Sequence, residues 1–333
     1  MFTVRKFILQ LKINKRVSLN AKQSVKSPSL LGVVCLLLIC STAALLVNGC
    51  ITHFPGNNYF PRHTLTNALL LILIYIGCKL QYGEKAAMTR ALYEMNQYYF
   101  SMALVVLATT AVQFTPFSPI DSFLVQFNKP NQWYKTLIIW THAHTQLHQV
   151  LTWVYASLSY EMIIIPLSLI VFKQTNLLRE YYFLLLTSAW LGFSVYYFFP
   201  TTAPASLWPD VPFSSEQYAT GLKFYQIHHY IKPTTLAGGM VAFPSFHIIW
   251  AWLCVYVTRQ WPKLFKALCV YNLVLVASCI LLGWHYCIDI LGSIACLIIC
   301  HYWLQKYVNP RHLIHLPNDI PPTPNTLEHA NGY

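Results

Sequence analysis

The chain has 333 residues, of which 56% are hydrophobic and only 10% are charged, whereas a soluble domain usually carries about 25% charged residues. This composition, with a mean hydropathy of +0.45, excludes a water-soluble globule, a disordered chain, a collagen-like fibre and a disulfide-rich secreted domain. What remains is an all-α polytopic membrane protein. The formal net charge of +12 is unusual for such an apolar chain, and its meaning depends on where the basic residues lie.

Eight apolar segments have the roughly 17 to 25 residues that a membrane-spanning helix needs. They are Ser29–Val47, Leu65–Tyr82, Gln97–Phe114, Val150–Phe172, Tyr181–Phe199, Phe243–Trp261, Leu264–Gly283 and Ile288–Val308. We therefore expect a helical membrane bundle with about eight spans, within a range of six to eight. The expected organisation is a basic N-terminal tail (1–28), N-terminal membrane helices (29–115), a second membrane domain (116–308) and a disordered C-terminal tail (309–333).

The basic residues are distributed unevenly over the segments that connect these spans. Seventeen of the 22 Lys and Arg residues lie in the two tails and in alternate connections, and the opposite side has only Arg62, Lys129, Lys135, Lys223 and Lys232. Because cytoplasmic segments are enriched in Lys and Arg, we expect both termini to be cytoplasmic. The net charge is thus mainly a topology signal, and no nucleic-acid partner is expected because no basic stripe alternates with aromatic residues.

The cysteines and most histidines have simple structural interpretations. Nearly all of the ten cysteines fall within predicted spans and no zinc-like spacing occurs, so neither a disulfide framework nor a zinc site is indicated. His144 and His148 are four residues apart and lie near His142, a spacing that would suit a metal. An interfacial amphipathic helix explains these histidines as well, and we expect no metal and no cofactor.

Two short clusters of functional residues lie at the outer ends of predicted spans. The first runs from Ala242 to His247 at the start of the sixth span, and the second runs from Gly283 to Asp289 before the eighth. Since the seventh span crosses the membrane between them, both clusters are expected on the same membrane face, at helix N-termini.

The residue types in these clusters suit phosphoester chemistry without a metal. His285 and Asp289 are four residues apart, so on a helix they share one face and can contact each other. A carboxylate bonded to one imidazole nitrogen orients the ring and leaves the other nitrogen as a nucleophile or base. His247 comes from a different helix and is a candidate acid for a leaving oxygen. Ser245 is expected to cap the sixth span, which would direct the amides of Phe246 and His247 toward an anion.

The pattern Pro-Ser-Phe-His, followed after two spans by His-Tyr-x-x-Asp, resembles the type 2 phosphatidic acid phosphatase superfamily. Within it, the inositol phosphorylceramide synthase-like branch is the most similar, because the run from Phe198 to Pro204 resembles the Phe-Pro-Thr-x-x-Pro segment of that branch. The resemblance covers about Asp121 to Cys300. It implies that residues 116–308 form a catalytic membrane domain that acts on a phospholipid at the periplasmic or lumenal face of a bacterial inner membrane or an endomembrane.

The resemblance also implies roles for individual residues. His285 corresponds to the histidine that forms a phosphohistidine, Asp289 to its partner and His247 to the leaving-group acid. The arginine of the wider superfamily is absent, because Ser278 and Cys279 stand where its Ser-Arg pair would lie, and no Lys-x6-Arg-Pro motif occurs.

The absence of these motifs leaves the residues that bind the phosphate unassigned. Lys232 or Lys223 in the outer loop are candidates to neutralise it, with Ser245 at the helix N-terminus. Thr201 and Thr202 are candidate hydrogen-bond donors, although the neighbouring prolines offer an equal explanation in terms of backbone structure.

Some alternatives remain open at the level of sequence. Water as the acceptor would make the protein a phosphatase and an alcohol would make it a phosphotransferase. A transporter or a lipid-binding membrane protein is the alternative class, although no pair of Gly- or Pro-broken spans occurs in matching halves. A bis-histidine haem protein would need histidines at mid-membrane depth, whereas His247 and His285 lie at span ends.

Overall fold

The computed structural model describes residues 30–53, 63–121, 123, 132–235 and 241–307, and these residues form helices and no strands. The predicted basic N-terminal tail and disordered C-terminal tail lie outside the described residues. Ten α-helices occur in the described part of the chain. They are α1 (Leu30–Leu46, continued by a π-helical turn, Val47–Ile51), α2 (Thr64–Tyr82), α3 (Ala87–Val112), α4 (Gln132–Ala143), α5 (Thr145–Val171), α6 (Thr175–Phe198), α7 (Ser215–His228), α8 (Phe246–Val257), α9 (Pro262–Leu281) and α10 (Cys287–Tyr307).

Each of the eight predicted spans overlaps a helix, which confirms the prediction of a polytopic helical membrane protein. Five helices are long and apolar enough to cross a membrane by length and composition, namely α1 with its π-helical turn, α2, α5, α9 and α10. The helices α3 and α6 have sufficient length but are less apolar.

The sixth predicted span is shorter than the sequence indicates. The apolar run from Phe243 to Trp261 contains a helix of only 12 residues, Phe246–Val257, which is about 18 Å long at 1.5 Å per residue. This falls short of a hydrocarbon core of about 30 Å. Hydropathy does not distinguish helical from non-helical apolar residues, and here Pro244 precedes the helix while a turn at Thr258–Trp261 ends it.

Helix α6 lies at the centre of the bundle. Fourteen of its residues are buried, and it packs against α1, α3, α5, α8 and α10. Helix α2 is peripheral, with α3 as its main neighbour and Ala68 as its one buried residue. The main core is therefore formed around α6, and the helices that bear the two predicted clusters, α8 and α10, pack directly on it.

At one end of the bundle, hydrogen bonds join the ends of neighbouring helices and fix their positions along the bundle axis. The side chain of Asn48, after α1, donates to the carbonyl of Ala111 near the end of α3 (2.9 Å). The hydroxyl of Thr115 donates to the carbonyl of Tyr197 near the end of α6. Helices α5, α8 and α10 begin at this same end, which we call the site end.

A second, smaller apolar cluster covers the site end. It consists of Tyr134, Ile138, Ala205, Trp208, Val211, Phe213 and Tyr286, and we call it the cap cluster. Helix α7 begins with a capping box formed by Ser214 and Gln217, and the Gln217 side chain donates to the carbonyl of Leu282 (2.8 Å). The connections on this side therefore form a packed layer over the segment that leads into α10.

Candidate active site

His285 and Asp289 form a buried pair at the site end. Nδ1 of His285 lies 3.2 Å from Oδ2 of Asp289, and the residues are 5% and 0% exposed. The same carboxylate oxygen accepts the backbone N–H of Tyr286 at 2.9 Å. Helix α10 begins at Cys287, so the expectation that both residues share one helical face is wrong, because His285 precedes the helix. The contact arises from the turn into α10, with Asp289 in the first turn of that helix.

The backbone of His285 is held from two sides. Its N–H donates to the carbonyl of Cys279 (3.1 Å), and its carbonyl accepts the hydroxyl of Tyr134 (2.5 Å). The turn needs glycine at position 283, where φ is +76° and a Cβ would lie 2.7 Å from the Phe213 ring. No feature of the sequence indicates that Tyr134 contacts His285, because the two residues are 151 positions apart.

His247 lies in the first turn of α8 and faces His285. The centroids of the two imidazole rings are 5.9 Å apart. On another side the His247 ring stacks on Tyr155 of α5 at 4.1 Å, and Tyr155 in turn stacks on Trp284 at 5.1 Å. Tyr155 thus lies between the two predicted clusters, in contact with His247 of the first and Trp284 of the second. Its role was missed by the sequence reasoning, because an apolar span contains many aromatic residues.

Ser245 occupies the N-cap position of α8, but its side chain makes no capping hydrogen bond. The predicted cap is therefore wrong, because capping depends on a side-chain rotamer that sequence spacing does not determine. The carbonyl of Ser245 instead accepts the hydroxyl of Ser293 (2.9 Å), which also lies 2.6 Å from the carbonyl of Asp289. Ser293 thereby links the segment that bears His247 to the first turn of α10.

Thr201 and Thr202 lie at the same end, directly after α6. The backbone N–H of Thr202 lies 3.0 and 2.9 Å from the two carboxylate oxygens of Asp121. The Thr202 hydroxyl donates to the same carboxylate at 3.0 Å. The Thr202 hydroxyl is thus already engaged, whereas the buried hydroxyl of Thr201 has no hydrogen-bond partner within the described part of the chain.

The two candidate lysines differ in their environments. Lys223 is fully buried in α7, and burial lowers the pKa of its ammonium group to about 8. Lys232 is exposed in the segment that follows α7. Of the two, only Lys223 has the low-dielectric surroundings in which a positive charge acts strongly on a nearby anion.

His142 and His148 lie close together, with ring centroids 4.3 Å apart. Burial and the neighbouring His148 lower the pKa of His142. Across the described ranges, no group of three or more His, Cys, Asp or Glu side chains is arranged to hold a metal ion.

Several buried polar atoms at the site end have no hydrogen-bond partner among the residues described. They are Oδ1 of Asp289, Oγ of Ser245, Oγ1 of Thr201 and the hydroxyls of Tyr196 and Tyr286. Most buried polar groups in proteins are hydrogen-bonded, so these atoms at the end of the bundle that bears His247 and His285 mark a candidate site for a polar ligand.

The fold and this site together define a polytopic helical membrane protein with a histidine–carboxylate pair and a facing histidine at one end. A family model described as the PAP2 superfamily matches residues 131–303, just over half of the chain. The chain belongs to this superfamily, that of the type 2 phosphatidic acid phosphatases. Membership indicates a membrane phosphatase or phosphotransferase. No curated protein and no solved structure matches the chain.

Proposed function

We propose that the protein cleaves a phosphoester of a phospholipid head group through a phosphohistidine on His285, as a lipid phosphatase or as a phosphotransferase of the inositol phosphorylceramide synthase-like branch. The observation that carries this proposal is the geometry of three side chains. A buried carboxylate lies 3.2 Å from one nitrogen of His285, and the ring of His247 lies 5.9 Å from the His285 ring, centroid to centroid.

In the first step the ionised Asp289 keeps the proton of His285 on Nδ1, so that the lone pair of Nε2 attacks phosphorus. The bond between phosphorus and the leaving oxygen breaks, and His247 donates a proton to that oxygen. Asp289 stabilises the positive charge that develops on the imidazole. In the second step the acceptor attacks the phosphohistidine and gives its proton to His247, while the bond between Nε2 and phosphorus breaks. The acceptor is water in a phosphatase and an alcohol in a phosphotransferase.

The phosphate would be held by hydrogen bonds and by one buried charge. The hydroxyls of Ser245 and Thr201 and the N-terminal amides of α8 are suited to its oxygens. Buried Lys223 is the better candidate for neutralising its charge, and exposed Lys232 would act at the rim. The hydroxyl of Thr202 donates to Asp121, so we assign to Thr202 the structural role of holding the turn that contains Thr201.

The distribution of the basic residues supports one orientation of the protein in the membrane. With both termini in the cytoplasm, as the excess of Lys and Arg in the tails and alternate connections predicts, the site end faces the periplasm or the lumen. The substrate would then be a phospholipid of the outer or lumenal leaflet, reached at the start of α8 and α10.

The test is turnover of labelled phospholipids in isolated membranes, with free phosphate and new lipid products followed over time. We expect His285→Ala and Asp289→Asn to lose turnover by a factor on the order of 10³ or more, because removal of a nucleophile or its orienting carboxylate has effects of that size. His63→Ala is a matched control, since His63 is exposed at the start of α2. Products formed with and without added inositol distinguish a transferase from a phosphatase.

Full turnover by both variants, while they remain folded and inserted, would show that the catalytic assignment is wrong. A wild-type protein that binds phospholipid but releases no product would instead favour a transporter or a lipid-binding protein.

A further inference from the structure

Asp121 lies outside the segment that matches the superfamily, which begins at residue 131, yet it is buried at the site end. It is 3% exposed and follows α3 by nine positions along the chain. The backbone of the preceding residue also contacts the turn after α6, because the N–H of Ile120 donates to the carbonyl of Pro200 (2.9 Å). Ile120 and Asp121 are therefore part of the wall of the candidate site.

The carboxylate of Asp121 holds the turn that follows α6. It accepts the N–H and the hydroxyl of Thr202 at distances of 2.9 to 3.0 Å. These bonds fix the backbone at Thr202 and hence the position of the adjacent Thr201, whose buried hydroxyl is unpartnered in the part of the chain that the structure describes.

Asp121 also lies within electrostatic range of the histidine–carboxylate pair. The titratable groups that interact with it are Asp289 on α10, Tyr286 in the turn before α10 and Tyr196 on α6. Burial raises the pKa of Asp121 to about 6, the hydrogen bonds from Thr202 oppose this rise, and the negative charge of Asp289 adds to it. Its charge therefore changes within the pH range of a periplasm or an acidic lumen.

We infer that Asp121 is a positioning residue that holds the Thr201–Thr202 turn in place for the substrate phosphate, and that the ionised form of its carboxyl weakens phosphate binding. This inference rests on the proposed function, since it assumes that a phosphate binds between this turn and His285. Two carboxylates near one anionic ligand repel it, so loss of the Asp121 charge on acidification should favour binding.

The experiment compares the affinity for inorganic phosphate of the wild-type protein and Asp121→Asn between pH 5 and pH 8. Binding to the purified full chain is followed by tryptophan fluorescence, which requires no turnover, because Trp284 is adjacent to His285. Both proteins meet the same mixture of phosphate ionisation states at each pH, so the ratio of their dissociation constants reports the difference that the carboxyl makes. Asp210→Asn is the matched control, because Asp210 is also on this side but is exposed and paired with Lys135 at 3.1 Å.

We expect the wild-type dissociation constant to equal that of Asp121→Asn at pH 5 and to exceed it about tenfold at pH 8, which corresponds to a coupling of about one pKa unit. Asp210→Asn should follow the wild type throughout. A ratio of the two dissociation constants that is the same at every pH would overturn the inference that the ionised carboxyl weakens phosphate binding.

A second variant keeps the inference testable if Asp121→Asn does not fold. Thr202→Val removes one hydrogen bond that stabilises the charged carboxyl of Asp121, so the midpoint of the pH dependence of phosphate binding should move to higher pH. An unchanged midpoint would contradict the inference. If the wild type turns over phospholipid but these pH effects are absent, only this inference fails. If the wild type neither binds phosphate nor turns over lipid, the proposed function fails and the inference fails with it.

Discussion

Replacement of Gly292 by alanine should disturb the contact between α10 and the segment that leads into His247. A Cβ at position 292 would lie 2.4 Å from Cε2 and 2.7 Å from Cζ of Phe243, whereas carbon atoms are in optimal contact at about 3.5–4.0 Å. The ring of Phe243 or the backbone of α10 must therefore move by about 1 Å. We expect a loss of stability of about 1–3 kcal/mol from overpacking and a loss of turnover on the order of 100-fold, since misplacement by about 1 Å has such effects on catalysis.

The assay measures thermal unfolding and lipid turnover of the same purified sample. Gly77→Ala is the matched control, because Gly77 lies in α2 and its added Cβ would have no neighbour within 4 Å. The control should be stabilised by up to about 1 kcal/mol through helix propensity, with turnover unchanged.

A double variant tests the cause of the effect. Phe243→Leu in the Gly292→Ala chain removes the ring atoms that the new Cβ would contact, so it should recover part of the lost turnover and stability. Wild-type turnover and stability in Gly292→Ala alone would show that the close packing of α10 against the segment before His247 does not control the site.

Three further predictions concern charges and hydrogen bonds at the site end. Burial raises the pKa of Asp121 to about 6, so the stability that the protonated carboxyl contributes is full below about pH 4 and is lost as the pH rises through 6. When the pH falls from 7 to 5, the free energy of unfolding of the wild type should therefore rise by about 1 kcal/mol more than that of Asp121→Asn, as measured by thermal unfolding. An equal change in both proteins would contradict this. Lys223→Met should raise KM roughly 10- to 100-fold through loss of a charge-assisted bond. Lys232→Met should change KM less than about threefold, because an exposed charge is screened. A larger rise in KM for Lys232→Met than for Lys223→Met would reject the choice of Lys223. Tyr134→Phe should cost about 1–3 kcal/mol in denaturant unfolding, because the buried carbonyl of His285 loses its donor, and it should lower kcat far less than His285→Ala does.

The fold was predictable from the sequence because the bilayer imposes a simple rule. Apolar runs of sufficient length become helices when no water is available to backbone polar groups, and each of the eight runs does contain a helix. The length of α8 was not predictable in this way. Hydropathy reports that Phe243 to Trp261 is apolar, but the ends of the helix depend on Pro244 and on the turn after Val257.

The candidate site was predictable only where its residues are neighbours in sequence. His285 and Asp289 are four positions apart, and their contact was expected although its geometry was not. Tyr155, Tyr134 and Asp121 are between 81 and 151 positions from the partners that they contact. Such contacts are set by the packing of helices and connections, and a single sequence contains no local pattern that reveals them.

The most direct test of the proposed mechanism is to locate the residue that carries the phosphoryl group during turnover. Wild-type protein is mixed with a phospholipid labelled at the scissile phosphorus, quenched in alkali within the first turnover, and digested to locate the label. The proposed mechanism predicts a labelled histidine at position 285 that is absent from His285→Ala. Turnover by the wild type with no labelled histidine, or label that persists in His285→Ala, would contradict the proposed mechanism.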